Sequence, residues 1–121
     1  MLAAKTCETA KPDTTGRDRL LGDGDGLFLR IRPHGTKTWL IDYEFEGARR
    51  KYTIGVYDGA GSPGESITKW LEHARLSLAQ ARSIASYWKV ERRAGRDPVA
   101  QWVNHVTKKH AAEETRRKAE K

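Results

Sequence analysis

Residues Asp23–Tyr57 read DGDGLFLRIRPHGTKTWLIDYEFEGARRKYTIGVY, and the way apolar and polar side chains take turns along them decides the fold. Leu27, Leu29 and Ile31 alternate with Phe28, Arg30 and Arg32. From Thr38 to Phe45, Trp39, Ile41, Tyr43 and Phe45 alternate with Leu40, Asp42 and Glu44. From Arg49 to Ile54, Tyr52 and Ile54 alternate with Lys51 and Thr53. A period of two is the pattern of a half-buried strand, whose successive side chains point to opposite faces. Pro33-His34-Gly35 and Glu46-Gly47 supply the two hairpin turns. The stretch therefore predicts a three-stranded antiparallel sheet with one apolar face and one polar, largely basic face.

Downstream of the sheet, Ser62-Pro63-Gly64-Glu65 offers an N-cap, a proline at the first helical position and an acid three residues on. With Ile67, Trp70, Leu71 and Ala74 at helical spacing, it predicts a short helix from about Pro63 to Arg75. Ser77-Leu78-Ala79-Gln80 repeats the capping pattern and opens a second helix, which Gly95 and Asp97-Pro98 stop after about Ala94. Leu78, Ala81, Ile84, Ala85 and Trp88 form its apolar stripe. That stripe is the natural cover for the sheet's apolar face, because either surface alone would stay in water. The fold class is α+β: a three-stranded antiparallel sheet packed against a C-terminal helix, with an extra short helix in an insertion at 58–76.

Upstream, Met1 to Leu21 carry few apolar side chains and the breakers Pro12-Asp13 and Thr15-Gly16. Residues 1–21 read as an arm that lies over the domain or frays, with Leu20 and Leu21 the end most firmly held. Gly22-Asp23-Gly24-Asp25-Gly26 lacks the Lys-Ser/Thr and the helix that follow a phosphate-binding loop. It also lacks the length and terminal Glu of a calcium loop, and reads as a tight turn feeding the first strand. Residues 22–98 make the domain. Beyond it, Val99, Trp102, Val103 and Val106 form a short helical stripe and Lys108 to Lys121 are mostly charged, so 99–121 reads as a linker or helical tail.

Composition narrows the partners. A chain of 121 residues with 37% hydrophobic side chains and a mean hydropathy of -0.78 supports one small core and solvated extensions. It holds no membrane-length apolar run and no secretory leader pattern. The single Cys7 cannot close an internal disulfide, so a reducing cytoplasm is the simplest home. Twenty-three Lys and Arg against 16 Asp and Glu give a net charge of +7, which favours an acidic partner, nucleic acid first.

No constellation reads as catalytic. Of His34, His73, His105 and His110, the last two would stand about 140° apart around a helix, off any shared face. One Cys and no ligand-spaced His pair imply no metal, and no cofactor or small-molecule substrate is implied. Asp42 and Glu44 share a strand face among cations, without the desolvated cleft that acid–base carboxylates need. They read instead as cross-strand partners of Arg30, Arg32 or Lys51.

The basic face is the candidate site. Arg30, Arg32, Arg49, Lys51 and Thr53, with Thr38 and Lys37 at the hairpin end, project donors from one platform. Strands about 4.8 Å apart make a slab roughly 10–15 Å wide, close to the ~12 Å of the B-DNA major groove. Arg can bond guanine edges bidentately, while Lys and Thr hold phosphates. An ordinary solvated sheet face carries similar mixed charge, so the residues alone leave both readings open. Arg75, Arg82, Lys89, Arg93 and Arg96 form a second basic row on the last helix. Most of these would lie beside the core with their charges in water, and Arg82 and Lys89 are further candidates for phosphate. A reading from another class is a protein-interaction adaptor that docks through Val99, Trp102, Val103 and Val106.

An ordered series of short motifs resembles a known family. Leu21-Gly22-Asp23-Gly24-Asp25-Gly26-Leu27-Phe28-Leu29 is followed by Pro33-His34-Gly35-Thr36-Lys37-Thr38-Trp39 and Tyr43-Glu44-Phe45-Glu46-Gly47. Then come Ile54-Gly55-Val56-Tyr57, Ser77-Leu78-Ala79-Gln80-Ala81-Arg82 and Gly95-Arg96-Asp97-Pro98. In that order and spacing, from about Ala10 to Pro98, they resemble the N-terminal arm-binding domain of tyrosine recombinases, the integrases of prophages and genomic islands. The resemblance implies a three-stranded sheet backed by a helix, entering the major groove of duplex DNA at arm-type sites, in a bacterial or phage-encoded protein at the nucleoid. Other recombinase subunits are implied partners. It also implies that the catalytic Arg, His and Tyr belong to a separate C-terminal domain, so Tyr43, Tyr52 and Tyr57 are not the nucleophile. Two departures stand out. Strand two exposes Leu40, Asp42 and Glu44 where relatives often carry basic residues, and 58–76, with Trp70, is inserted where relatives often turn sharply.

Overall fold

In a computed structural model, which describes residues 2–100 and Trp102, the three alternating segments are strands β2 (Leu27–Ile31), β3 (Lys37–Phe45) and β4 (Ala48–Tyr57). Two further strands flank them. β1 (Arg19–Gly24) pairs antiparallel with β2, and β5 (Arg75–Leu76) pairs parallel with β4, giving the order β1-β2-β3-β4-β5. The expected three-stranded sheet is thus a five-stranded one, within the α+β class. α1 (Ala4–Thr9) precedes the sheet, α2 (Ile67–His73) precedes β5, and α3 (Leu78–Arg93) follows it.

The flanking strands escape pattern reading for physical reasons. Arg19, Leu20, Leu21 and Gly22 do not alternate, and none of them is buried, so β1 is held by its ladder to β2 rather than by a greasy face. Asp25 and Gly26 close that hairpin with φ of +54° and +79°, the left-handed pair that a tight two-residue turn requires. A Cβ on Gly26 would sit 2.2 Å from the Asp42 carbonyl oxygen, which admits only glycine. β5 is two residues long. It is fixed by the Val56 N–H donating to Ala74 O at 2.7 Å and the Asp58 N–H donating to Leu76 O at 3.0 Å.

One sheet face builds the core. Leu27, Leu29, Ile31, Trp39, Ile41, Tyr43 and Ile54 are buried, together with Ala81, Ile84, Ala85 and Trp88 of α3. The Trp88 ring lies 6.4 Å from that of Tyr43 and 5.7 Å from that of Tyr52, edge-on and tilted contacts that stack the helix on β3 and β4. Each large side chain so buried contributes about 1.5–3 kcal/mol before chain entropy is counted. The Trp39 indole donates to Leu76 O at 2.9 Å, satisfying its N–H inside the core.

A β-bulge changes which side chains share a face. The β3–β4 register slips at Trp39/Leu40: Leu40 pairs with Thr53, but Trp39 pairs with Gly55, leaving Ile54 as the extra residue. Strict alternation would put Val56 on the core side with Tyr52 and Ile54. The bulge instead sends Val56 to the opposite face, 44% exposed, and turns Tyr57 inward to meet Trp39 at 6.0 Å.

Helix ends follow the sequence in one case and not in the other. Ser77 and Gln80 form the expected capping box at α3, the Gln80 N–H donating to Ser77 Oγ at 3.3 Å and the Ser77 N–H to Gln80 Oε1 at 3.2 Å. The Ser62 cap expected for α2 is not formed. Gly64 takes φ +86°, the helix begins after Ser66, and a left-handed Ala74 ends it, so it is shorter than Pro63 to Arg75. Ser62 is buried, its hydroxyl donates to Arg75 O, and its backbone exchanges bonds of 2.9 and 2.8 Å with the Gln80 amide.

Residues expected to form an arm are also folded. α1 buries Cys7 completely, and Lys37 Nζ donates to the Cys7 and Glu8 carbonyls, 2.8 Å each, at the helix end where carbonyls lack partners. The chain divides into two units, Met1–Lys89 and Val90–Lys121. In the second, α3 ends at Arg93, and Asp97 Oδ1 accepts the Val99 N–H at 3.0 Å, capping a helical turn that opens with Pro98. Val99 and Trp102 are helical. Val103, Val106, His105, His110 and Lys108–Lys121 lie outside the described residues.

Candidate nucleic-acid interface

The sheet face turned away from α3 is ordered in rows across the strands. Leu20, Arg30, Thr38, Val56 and Arg75 stand opposite one another from β1 to β5. The next row is Gly22, Phe28, Leu40 and Thr53. Asp42 then faces Lys51, and Glu44 faces Arg49. Arg30 and Arg32 alternate with the fully buried Leu29 and Ile31, so both stand on this open face.

The cations differ in what holds them. Arg30 Nη2 donates to Thr53 Oγ1 at 3.1 Å and Arg30 Nε to Thr38 Oγ1 at 3.4 Å, two neutral acceptors. Arg32 pairs with Asp18 at 3.0 Å. Arg49 pairs with Asp42 through Nε–Oδ1 at 3.1 Å and Nη2–Oδ2 at 3.4 Å, diagonally across the ladder. Among the described residues Lys51 has no bonded partner. The expected pairing of Asp42 and Glu44 with Arg30, Arg32 or Lys51 is therefore replaced by Asp42 with Arg49. Exposed pairs of this kind are worth about 0–1 kcal/mol, so a phosphate can take these cations over.

Three candidates for phosphate, Lys37, Arg82 and Lys89, stand off the open sheet face. Lys37 points to the core side, onto the end of α1 and 5.9 Å from the Tyr57 ring. Arg82 on α3 grips Asp23 with Nε–Oδ2 and Nη2–Oδ1 both at 2.8 Å and also bonds the Leu2 carbonyl. Lys89 Nζ lies 2.6 Å from Asp25 Oδ1. The two aspartates of the glycine-rich turn thus serve as partners for α3. The site residues that share the open face are Arg30, Arg32, Thr38, Arg49, Lys51 and Thr53.

Leu20, Val56 and Arg75 belong to this face and are not evident in the sequence pattern. The Asp25-Gly26 turn between Leu21 and Leu27 is a hairpin signal that leads to β1 and so to Leu20. No local signal marks the bulge that exposes Val56 or the short parallel strand that carries Arg75. The tyrosines are structural: Tyr43 and Tyr52 pack on Trp88. The Tyr57 hydroxyl donates to Glu8 Oε2 at 2.7 Å, and burial, then this carboxylate, pushes its phenol up to about 12. Among the described residues no group of three His, Cys, Asp or Glu is placed to hold a metal, and no helix is long and apolar enough to cross a membrane.

A family model described as an arm DNA-binding domain matches residues 2–104. The integrase of Shigella phage Sf6 and the prophage integrase IntS of Escherichia coli strain K12 are each 40% identical over 57 residues. The aligned segment covers 47% of this chain and 14% of either relative, so the chain corresponds to a small part of those proteins.

Proposed function

The chain belongs to the arm DNA-binding domain family, and on that premise we propose that it is a non-catalytic module of an integrase, binding duplex DNA through the open face of its sheet. The target would be arm-type sites flanking the crossover region, where the module tethers recombinase subunits during integration and excision. Such a role lies in the cytoplasm, with bacterial or phage DNA. One observation supports this face above others: α3 backs the sheet, while Arg30, Arg32, Arg49 and Lys51 project together from the far side. Arg30 and Lys51 meet no carboxylate there, so their charge is free to attract DNA. A rigid sheet holds these groups at fixed separations, which limits the ordering that binding must impose.

If binding neutralises about four phosphates, log K falls with log salt at a slope near -3.6. Anisotropy titrations with a duplex across salt concentrations measure it. Arg30→Glu combined with Lys51→Glu, with the fold checked by circular dichroism, should abolish binding. A flat salt response, or a double variant that binds as the parent does, overturns the reading.

A further inference from the structure

We infer that Arg30 reads a guanine, and that Leu20 next to it and Val56 two strands along the same row take thymine methyl groups, so that this one row sets which duplex is bound. The inference rests on the DNA-binding reading of the open face and adds its sequence preference.

A guanidinium presents five N–H groups along two forked edges, one formed by Nε and Nη2 and the other by Nη2 and Nη1. Thr38 and Thr53 occupy the first: their hydroxyls accept from Nε at 3.4 Å and Nη2 at 3.1 Å. The second edge keeps a parallel pair of donors. That is the pattern which matches O6 and N7 of guanine in the major groove. The side chain is thus oriented before DNA arrives, and by hydroxyls that leave its charge intact. The other cations of the face are held differently. Arg32 and Arg49 lie against Asp18 and Asp42, and Lys51 is an unanchored point charge, which suits a phosphate better than a base edge.

The neighbours complete the pattern. Leu20 stands directly across from Arg30 on β1, and Val56 directly across from Thr38 on β4. They are 47% and 44% exposed on a face otherwise made of polar groups and of Phe28 and Leu40, which are less exposed. The β3–β4 bulge is what brings Val56 there. Aliphatic side chains in the same row as an arginine fit the C5-methyl of thymine, the apolar feature of the major groove. The row therefore specifies a guanine with thymine within a few base pairs of it.

The test uses the whole 121-residue chain. A site is first selected from randomised duplexes. Dissociation constants are then measured for that site, for the site with each guanine replaced by 7-deazaguanine, and for the site with thymine replaced by uracil. One 7-deazaguanine, which deletes N7 but leaves O6, should weaken binding about 5-fold or more, the lower end of the range for a bidentate base contact. In Arg30→Met, and in Thr38→Val with Thr53→Val, that ratio should collapse toward one. Removing thymine methyls should weaken the parent more than Leu20→Ser with Val56→Ser. A selected site without a required guanine, or an unchanged ratio in both the arginine and the threonine variants, overturns the assignment while leaving DNA binding intact. Failure to bind any duplex overturns both.

Discussion

Arg82 of α3 and Asp23 of β1 meet in a bidentate pair, with both N–O distances 2.8 Å, and the Leu2 N–H donates to the same carboxylate at 2.7 Å. One buried carboxylate thus fastens the sheet's first strand, the backing helix and the amino-terminal segment together. The Asp23 side chain is 4% exposed and that of Arg82 36%, so the pair is shielded on one side only. Arg82→Ala would strand Asp23 with its backbone donor alone. Breaking a fully buried pair costs about 3–5 kcal/mol, and the exposure of Arg82 lowers the expectation to about 2 kcal/mol. Urea unfolding of parent and variant, read at equal m-value, measures it.

The same pair makes a pH prediction. The Arg82 guanidinium, opposed by burial and assisted by the Leu2 N–H, holds Asp23 below its ordinary value of 3.8. A carboxyl depressed in the folded state stabilises fully above that value, and the stabilisation is lost as pH falls through the lower folded one. Stability followed by circular dichroism should fall as pH drops below about 4. Asp23→Asn should be less stable at neutral pH and should show a shallower loss in that acid range.

Tyr57 gives the alkaline counterpart. Its phenol is raised from 10.0 to about 12, by burial first and then by Glu8. A folded-state value above the unfolded one means stability that is present below 10 and lost as pH rises toward 12. Ultraviolet titration should show a tyrosine ionising near 12 that is missing in Tyr57→Phe. A parent–variant difference already complete by pH 11 would contradict the Glu8 contact.

Gly26 and Gly35 should separate two kinds of glycine. Both have positive φ, +79° and +101°, but a Cβ on Gly26 would meet Asp42 O at 2.2 Å, while Gly35 has nothing within 4 Å. Gly35→Ala should cost about 1 kcal/mol of backbone strain, and Gly26→Ala well over 2 kcal/mol, because β1–β2 and β3 must part. Melting temperatures of the two variants decide it.

Gln80 holds the insertion to α3. It caps with Ser77 and exchanges two bonds with the Ser62 backbone. Gln80→Ala should cost about 1–2 kcal/mol, and amide exchange at Ser62 should quicken more than at Leu29 in the core.

Much of this architecture is legible in the residues. Trp39, Ile41 and Tyr43 against Asp42 and Glu44 announce β3, and Leu78, Ala81, Ile84, Ala85 and Trp88 announce both α3 and what it covers. Burial leaves a periodic trace. Features held by backbone bonds or by single polar contacts leave none: β1 and β5 lie at the sheet edges, the bulge that exposes Val56 has no periodic mark, and Gly55 shows only that Ala74 O passes close, 2.8 Å from where its Cβ would lie. Cation counts likewise identify a basic chain without saying which cations are occupied. Lys37, Arg82 and Lys89 resemble Arg30 and Lys51 in sequence, yet α1, Asp23 and Asp25 hold them on the other side.

The face that meets DNA can be observed residue by residue by adding an arm-site duplex to the isotopically labelled chain and following backbone amide shifts by NMR. Shifts concentrated at Leu20, Arg30, Thr38, Lys51, Thr53 and Val56, with Ala81, Ile84 and Ala85 of α3 unmoved, are the predicted result. Shifts centred on α3 with the open sheet face silent would contradict the account.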